Sequence, residues 1–274
     1  HLLGRRQRQM CIRDSNNTHK LGAEMHKLPY ELGLPVGSRS KLGLIVLQAD
    51  ETIEFEFWQL ISGLDLALHV SRISSSSKVS KDTLMAMKKE LTKAASLFPE
   101  KLKLDIVGYA CTSASSVIGS ETVSKMIKKG CNTGEVCNPI SSLIDACNYM
   151  KINDILFLSP YVSDVSNRII AEIRSYGITT TVVGSFNEEI EQNVARIKPR
   201  SIVEAVRDIY SGQAAIFISC TNLQTLDVIE VIEQEFSCVC FSSNQVLIWN
   251  MLRLAKIECD LRGYGKLLSK ISKE

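Results

Sequence analysis

From Lys41 onward the chain alternates short, continuously apolar runs with longer amphipathic stretches, and few folds accept that rhythm. An apolar run of about four to eight residues with no polar face suits a strand covered on both sides, and the amphipathic stretches supply the cover. The expected strands are 42–47, 66–73, 104–109, 155–158, 179–183, 215–219 and 238–241. The expected helices are 81–98, 121–129, 140–150, 165–176, 201–211, 223–236 and 245–259. Asp164, ahead of an apolar-periodic run, reads as a helix N-cap, and Gly130 and Gly177 stand where C-caps belong. The pattern is α/β, built from strand–helix units around parallel sheets.

The two halves are related. The stretch from Leu104 through Cys111-Thr112-Ser113 is an apolar strand ending in Cys-Thr-polar, and so is the stretch from Ala214 through Cys220-Thr221-Asn222. The strand and loop at 44–52 parallel those at 156–163 in the same way. A duplicated half of about 110 residues predicts two similar α/β domains about a pseudo-twofold axis. On this reading residues 41–140 with 241–274 form the first domain and 141–240 the second.

Composition narrows the function. A chain of 274 residues, 45% hydrophobic, has enough apolar material for a sizeable core. Its formal charge of +2 lacks the clustered basic surface that phosphate contacts need, so no nucleic-acid partner is expected. No apolar run approaches the roughly 20 residues of a membrane span, and no secretory h-region stands out, so a cytoplasmic location is expected. Nine cysteines, without CxxC spacing, give no support to a zinc ribbon or a thioredoxin-like site. Cys131, Cys137, Cys147, Cys238, Cys240 and Cys259 read as core filler. Residues 1–40 read as a leader, in which 1–15 resembles one reading frame of a transposase sequencing adapter, and Met25 is a candidate native start.

Cys111 and Cys220 are different. Each follows a strand, where loops of a parallel sheet form ligand sites. Backbone N–H groups of a following helix would ease loss of the thiol proton and could hold a substrate carboxylate or an enolate oxygen. Thr112, Ser113, Thr221 and Asn222 leave room for a small anion and add donors. Two thiols on opposite faces of one substrate suit a reaction in which one removes a proton or attacks an alkene carbon and the other returns a proton. His69, in a strand far from either cysteine in sequence, is a core or edge histidine, leaving a Cys–His dyad without candidates.

Tyr109-Ala-Cys111-Thr-Ser, Ser219-Cys220-Thr-Asn-Leu and Ser242-Ser-Asn-Gln245 with Trp249 resemble the aspartate/glutamate racemase superfamily, and within it the maleate cis-trans isomerase and arylmalonate decarboxylase group. The resemblance covers roughly 41–255. It implies two Rossmann-like domains with the active site in the cleft between them, no cofactor, a small-molecule carboxylate substrate, and a homo-oligomer as an option. It also implies that Cys111 adds to the double bond in a maleate isomerase-like reaction, that Cys220 serves as acid/base, and that Tyr161 hydrogen-bonds a substrate carboxylate. Decarboxylases of the group typically have glycine at the first cysteine position, so the retained pair favours an isomerase or racemase.

One loop departs from that pattern. Maleate isomerases carry Ser-Asn-Thr after the first strand, and here the loop reads Asp50-Glu51-Thr52, with Glu51 in the asparagine's place and a form resembling the branch labelled ectoine utilisation. A carboxylate facing a dicarboxylate costs binding energy, so Asp50 or Glu51 is expected to recognise an amino or amide group, or else to cap the next helix. Glu191 and Asn193 lie near a second substrate-binding asparagine of the family. Two alternatives remain: a malonate-type decarboxylase, and a non-catalytic small-ligand-binding protein.

Overall fold

The structure, a computed structural model, describes residues 25–76, 80–269 and 271; the adapter-like stretch lies outside the described residues. Residues 25–34 form no helix or strand and are exposed. The first half runs β1 (Ser40–Leu47), α1 (Ile53–Ile61), β2 (Leu66–Ile73), α2 (Lys81–Ala95), β3 (Leu104–Ala110), α3 (Thr112–Ile118), α4 (Ser120–Gly130), β4 (Thr133–Cys137) and α5 (Pro139–Met150). The second runs β5 (Asp154–Ser159), α6 (Ser163–Ser175), β6 (Thr179–Ser185), α7 (Glu191–Val194), α8 (Pro199–Ile209), β7 (Ala215–Ile218), α9 (Leu226–Phe236), β8 (Val239–Ser242) and α10 (Ser243–Leu254).

Each half contributes a four-stranded, all-parallel sheet, ordered β2-β1-β3-β4 and β6-β5-β7-β8. The same second-first-third-fourth order in both is what the internal similarity predicts. The inner strands are the apolar runs of the sequence: Leu42, Leu44, Ile106, Leu156 and Phe217 are fully buried. Each such side chain contributes about 1.5–3 kcal/mol of burial. No helix among the described residues is long and apolar enough to cross a membrane.

Register places the functional loops. Val46 pairs with Ala110, so the loops after β1 and β3 leave the first sheet side by side. Leu158 pairs with Ile218 and Ile218 with Ser242, which lines up the ends of β5, β7 and β8 in the second.

Several expectations are corrected. α1, α3, α7 and β4 were not anticipated, α2 and α10 end at Ala95 and Leu254, and α9 begins only at Leu226. Asp164 is not an N-cap. Val162 takes that place, and Asp164 lies in the first turn of α6, exposed and paired with Arg168 one turn on. Gly177 adopts φ 81° beyond the C-terminus of α6, as a C-cap glycine does. Gly130 is instead the last residue of α4, and packing demands it there: a Cβ would stand 2.3 Å from the Thr92 carbonyl oxygen and 2.6 Å from the Ala95 Cβ on α2.

One buried acid ties the halves together. Glu56, on α1, is 4% exposed and accepts hydrogen bonds from Thr225 N (2.6 Å), Leu226 N (3.1 Å) and Asn244 Nδ2 (2.6 Å). Its oxygens satisfy the otherwise orphaned donors at the N-terminus of α9. Burial outweighs these bonds and pushes its pKa up to about 7.

Two outcomes test this packing. Gly130→Ala should cost about 1–3 kcal/mol in urea unfolding, because the clash is with backbone; an unchanged midpoint would contradict the close approach. Because Glu56 is protonated more readily folded than unfolded, its contribution is complete below about pH 4.5 and lost as pH rises through about 7. Glu56→Gln should therefore flatten the fall in stability between pH 5 and 8 by about 2–3 kcal/mol, a slope read from urea titrations at the two pH values.

Candidate active site

Cys111 closes β3 and is the N-cap of α3: its Sγ accepts the Ala114 N–H at 3.3 Å and lies 3.6 Å from Ser113 Oγ. Cys220 follows β7, and its Sγ accepts the Asn222 N–H at 3.3 Å. No helix starts at Cys220, since α9 begins at Leu226. The helix-terminus argument therefore holds for the first cysteine only.

Residues from the start of α10 join the two loops. Ser243 Oγ accepts the Cys220 N–H at 3.0 Å and is hydrogen-bonded to Thr112 Oγ1 at 2.7 Å. Thr221 Oγ1 donates to the Ala110 carbonyl at 3.3 Å, so each cysteine loop is bonded into the other. Asn244 Nδ2 spans the Thr221 carbonyl (2.9 Å) and Glu56. The Ser242–Gln245 segment therefore floors the site.

Tyr161 lies in the loop after β5, is 3% exposed, and stands within electrostatic reach of both Cys220 and Cys111. Burial, then the neighbouring Cys220, keeps that hydroxyl protonated well above its ordinary range. Tyr109 is fully buried beside Cys111 and is shifted the same way by burial.

Asp50 and Glu51 part company. Asp50 is 5% exposed; its Oδ1 accepts from Thr52 N (2.8 Å) and Ile53 N (2.9 Å), starting α1, and its Oδ2 has no hydrogen-bond partner. Glu51 is turned to the rim, where its half-exposed carboxylate lies 3.6 Å from Arg196. Asp50 is the buried acid of this loop and Glu51 the exposed one, which corrects the placing of Glu51 in the inward position.

Asn222, expected at the substrate, has its amide engaged by the protein. Oδ1 accepts from Glu51 N (2.8 Å), and Nδ2 donates to the Ala49 carbonyl (3.3 Å), the Glu191 carbonyl (3.1 Å) and Glu191 Oε2 (3.1 Å). Glu191 is thereby held in the cluster at 7% exposure, while Asn193 faces outward to Glu188 at 3.1 Å. His69, midway along β2 and paired with Gly43, belongs to the sheet.

Electrostatics overturn one expectation. The thiols were expected to lose their protons readily; instead burial, reinforced by Glu191 and Asp50, pushes Cys111 up to about 12 and raises Cys220 well above its ordinary value. The bonds from Ser113 and Ala114 to Cys111, and from Asn222 to Cys220, pull the other way and lose. Burial also raises Asp50 to about 6, and Glu191 upward. The expected cleft is closed: Cys111 and Cys220 are 3% and 2% exposed. No group of three or more histidine, cysteine or acidic side chains among the described residues is arranged to hold a metal ion.

Comparison with known proteins agrees with this fold. A maleate isomerase from Geobacillus stearothermophilus is 23% identical over 247 residues, covering 84% of this chain and 97% of that protein. An arylmalonate decarboxylase from Bordetella bronchiseptica is 26% identical over 140 residues, 49% of this chain and 58% of its own. Among solved structures, a Nocardia farcinica maleate cis-trans isomerase variant with a covalently bound succinylcysteine intermediate superposes with a TM-score of 0.78 at 20% identity, covering 84% of this chain and 98% of that one. A family model described as arylmalonate decarboxylase matches residues 42–268, which takes in both sheets, both cysteine loops and the segment that joins them. The chain belongs to the arylmalonate decarboxylase family.

Proposed function

We propose that the protein is an isomerase or racemase of a small carboxylate or amino-acid-like substrate, with Cys111 and Cys220 as the acid–base or nucleophilic pair. The observation that carries this reading is the Thr112–Ser243–Cys220 linkage, which brings two cysteine loops from different sheets to one place beside the Tyr161 hydroxyl. The succinylcysteine captured in the Nocardia relative supports cysteine as a nucleophile on this fold. The Gln48-x-Asp50-Glu51-Thr52 loop supports a place in the ectoine-utilisation-type branch, away from the maleate isomerases with Ser-Asn-Thr.

In the racemase form, one thiolate takes the proton from the carbon beside the substrate carboxylate, leaving its electron pair on carbon as an enolate. The opposite thiol gives its proton to the other face and becomes the thiolate. One S–H bond forms, one breaks, and configuration inverts. In the isomerase form, Cys111 sulfur bonds one alkene carbon while the other gains a proton from the Cys220 side; rotation and the reverse steps give the other isomer. The Tyr161 hydroxyl, kept protonated by burial beside Cys220, stabilises the Cys220 thiolate as it forms. Because the sulfurs are buried, substrate reaches them only when the covering loops part.

Deuterium incorporation at carbon next to carboxylate, followed by NMR in heavy water, tests the reading. Cys111→Ser and Cys220→Ser should each lower exchange by about 10³-fold or more, since a serine hydroxyl is a far poorer base. Tyr161→Phe should cost about 10²-fold. Carbon dioxide release without inversion would transfer the assignment to a decarboxylase, and binding without exchange or turnover to a ligand-binding protein. Free-enzyme kcat/KM should climb across pH 6–9 because burial holds Cys111 near 12, and a flat profile would deny that a thiol must ionise.

A further inference from the structure

The charges around the sulfurs narrow the substrate. Asp50 is almost wholly buried, yet its Oδ2 has no hydrogen-bond partner among the described residues. Glu191, the site's second buried acid, has its carboxylate held by Asn222 Nδ2 at 3.1 Å. Both carboxylates act on both thiols, and each raises them. None of the groups acting most strongly on Cys111, Cys220 or Tyr161 is cationic. The neighbouring arginines are engaged elsewhere: Arg72 donates to the carbonyls of Leu47 (2.9 Å), Gln48 (3.4 Å) and Asp50 (3.1 Å) and pairs with Glu54, and Arg196 pairs with Glu51.

Two buried acids beside two thiols, paired with no cation among the described residues, form a site that repels a dianion and leaves one carboxylate oxygen without a donor. A ligand with its own positive charge removes both costs. Resting on the isomerase or racemase reading above, we infer that the substrate carries a protonated amine beside its carboxylate, and that Asp50 Oδ2 and Glu191 accept hydrogen bonds from that ammonium. The ammonium also offsets the two negative charges that oppose ionisation of the thiols, so the thiolate forms when substrate is seated. Asp50 and Glu191 thus select the substrate, and the cysteines act on it.

Calorimetric binding of alanine and aspartate, set against lactate and maleate, tests the inference on the full chain. The amino acids should bind wild type at least about tenfold tighter than lactate or maleate, and Asp50→Asn and Glu191→Gln should each weaken them by about tenfold or more. The Asp50→Asn side chain keeps an Oδ1 acceptor for Thr52 N and Ile53 N, so the start of α1 survives that change, and the wild-type comparison needs no variant. Lactate or maleate binding as well as the amino acids, no amino-acid binding, or amino-acid binding untouched by both changes would each overturn the inference. The two readings fail separately. Turnover of maleate or lactate that needs both cysteines would sink the ammonium and leave the thiol pair standing. Charge-dependent amino-acid binding without deuterium exchange would do the reverse.

Discussion

The site depends on the Ser243 hydroxyl. It sits at the start of α10, accepts the Cys220 N–H and meets the Thr112 hydroxyl, all in the absence of solvent. A buried donor left without a partner costs more than a hydrogen bond gains, so the ends of β3, β7 and β8 are held to one arrangement. The next residue, Asn244, extends the same constraint to Glu56 and thus to α1, which carries Asp50 at its start. Cys111 and Cys220 occupy matching places after the third strand of each half, and this seam makes them one site.

Desolvation sets the chemistry of that site. A helix N-terminus lowers the pKa of a thiol with access to water, but here the loss of water around Cys111 outweighs the Ala114 N–H and the Ser113 hydroxyl. The same burial raises Asp50, Glu191 and Glu56, so the resting site holds its protons tightly. A neutral thiol is a far poorer nucleophile than a thiolate, so the resting pair is protected from adventitious reaction.

Much of this was legible in the sequence where one residue or run sufficed. Strand 66–73 falls as expected, and the other six expected strands agree within a residue or two; the inner ones do so because a strand covered on both faces is apolar throughout. β4 escaped because Thr133-Gly-Glu-Val-Cys137 is an edge strand with a half-exposed, mixed face. α1 escaped because Ile-Glu-Phe-Glu-Phe alternates like a strand, while its helical start rests on Asp50. α3 is mostly serine, threonine and alanine, with no apolar stripe to announce it. Gly130 was read as a cap from its position, whereas its reason is a carbonyl on another helix.

The sequence by itself determined the α/β class, the repeated halves and the two cysteines after equivalent strands, since hydrophobic period and local motif are properties of neighbouring residues. Only the tertiary structure decided that Asp50 turns inward and Glu51 outward, and that Glu191 joins the cluster from a four-residue helix. It also decided that Asn222 spends its amide on the scaffold and that Ser243 and Glu56 bind the halves. Those outcomes depend on which distant groups remove water from which, and desolvation is a property of the packed chain that no local pattern encodes.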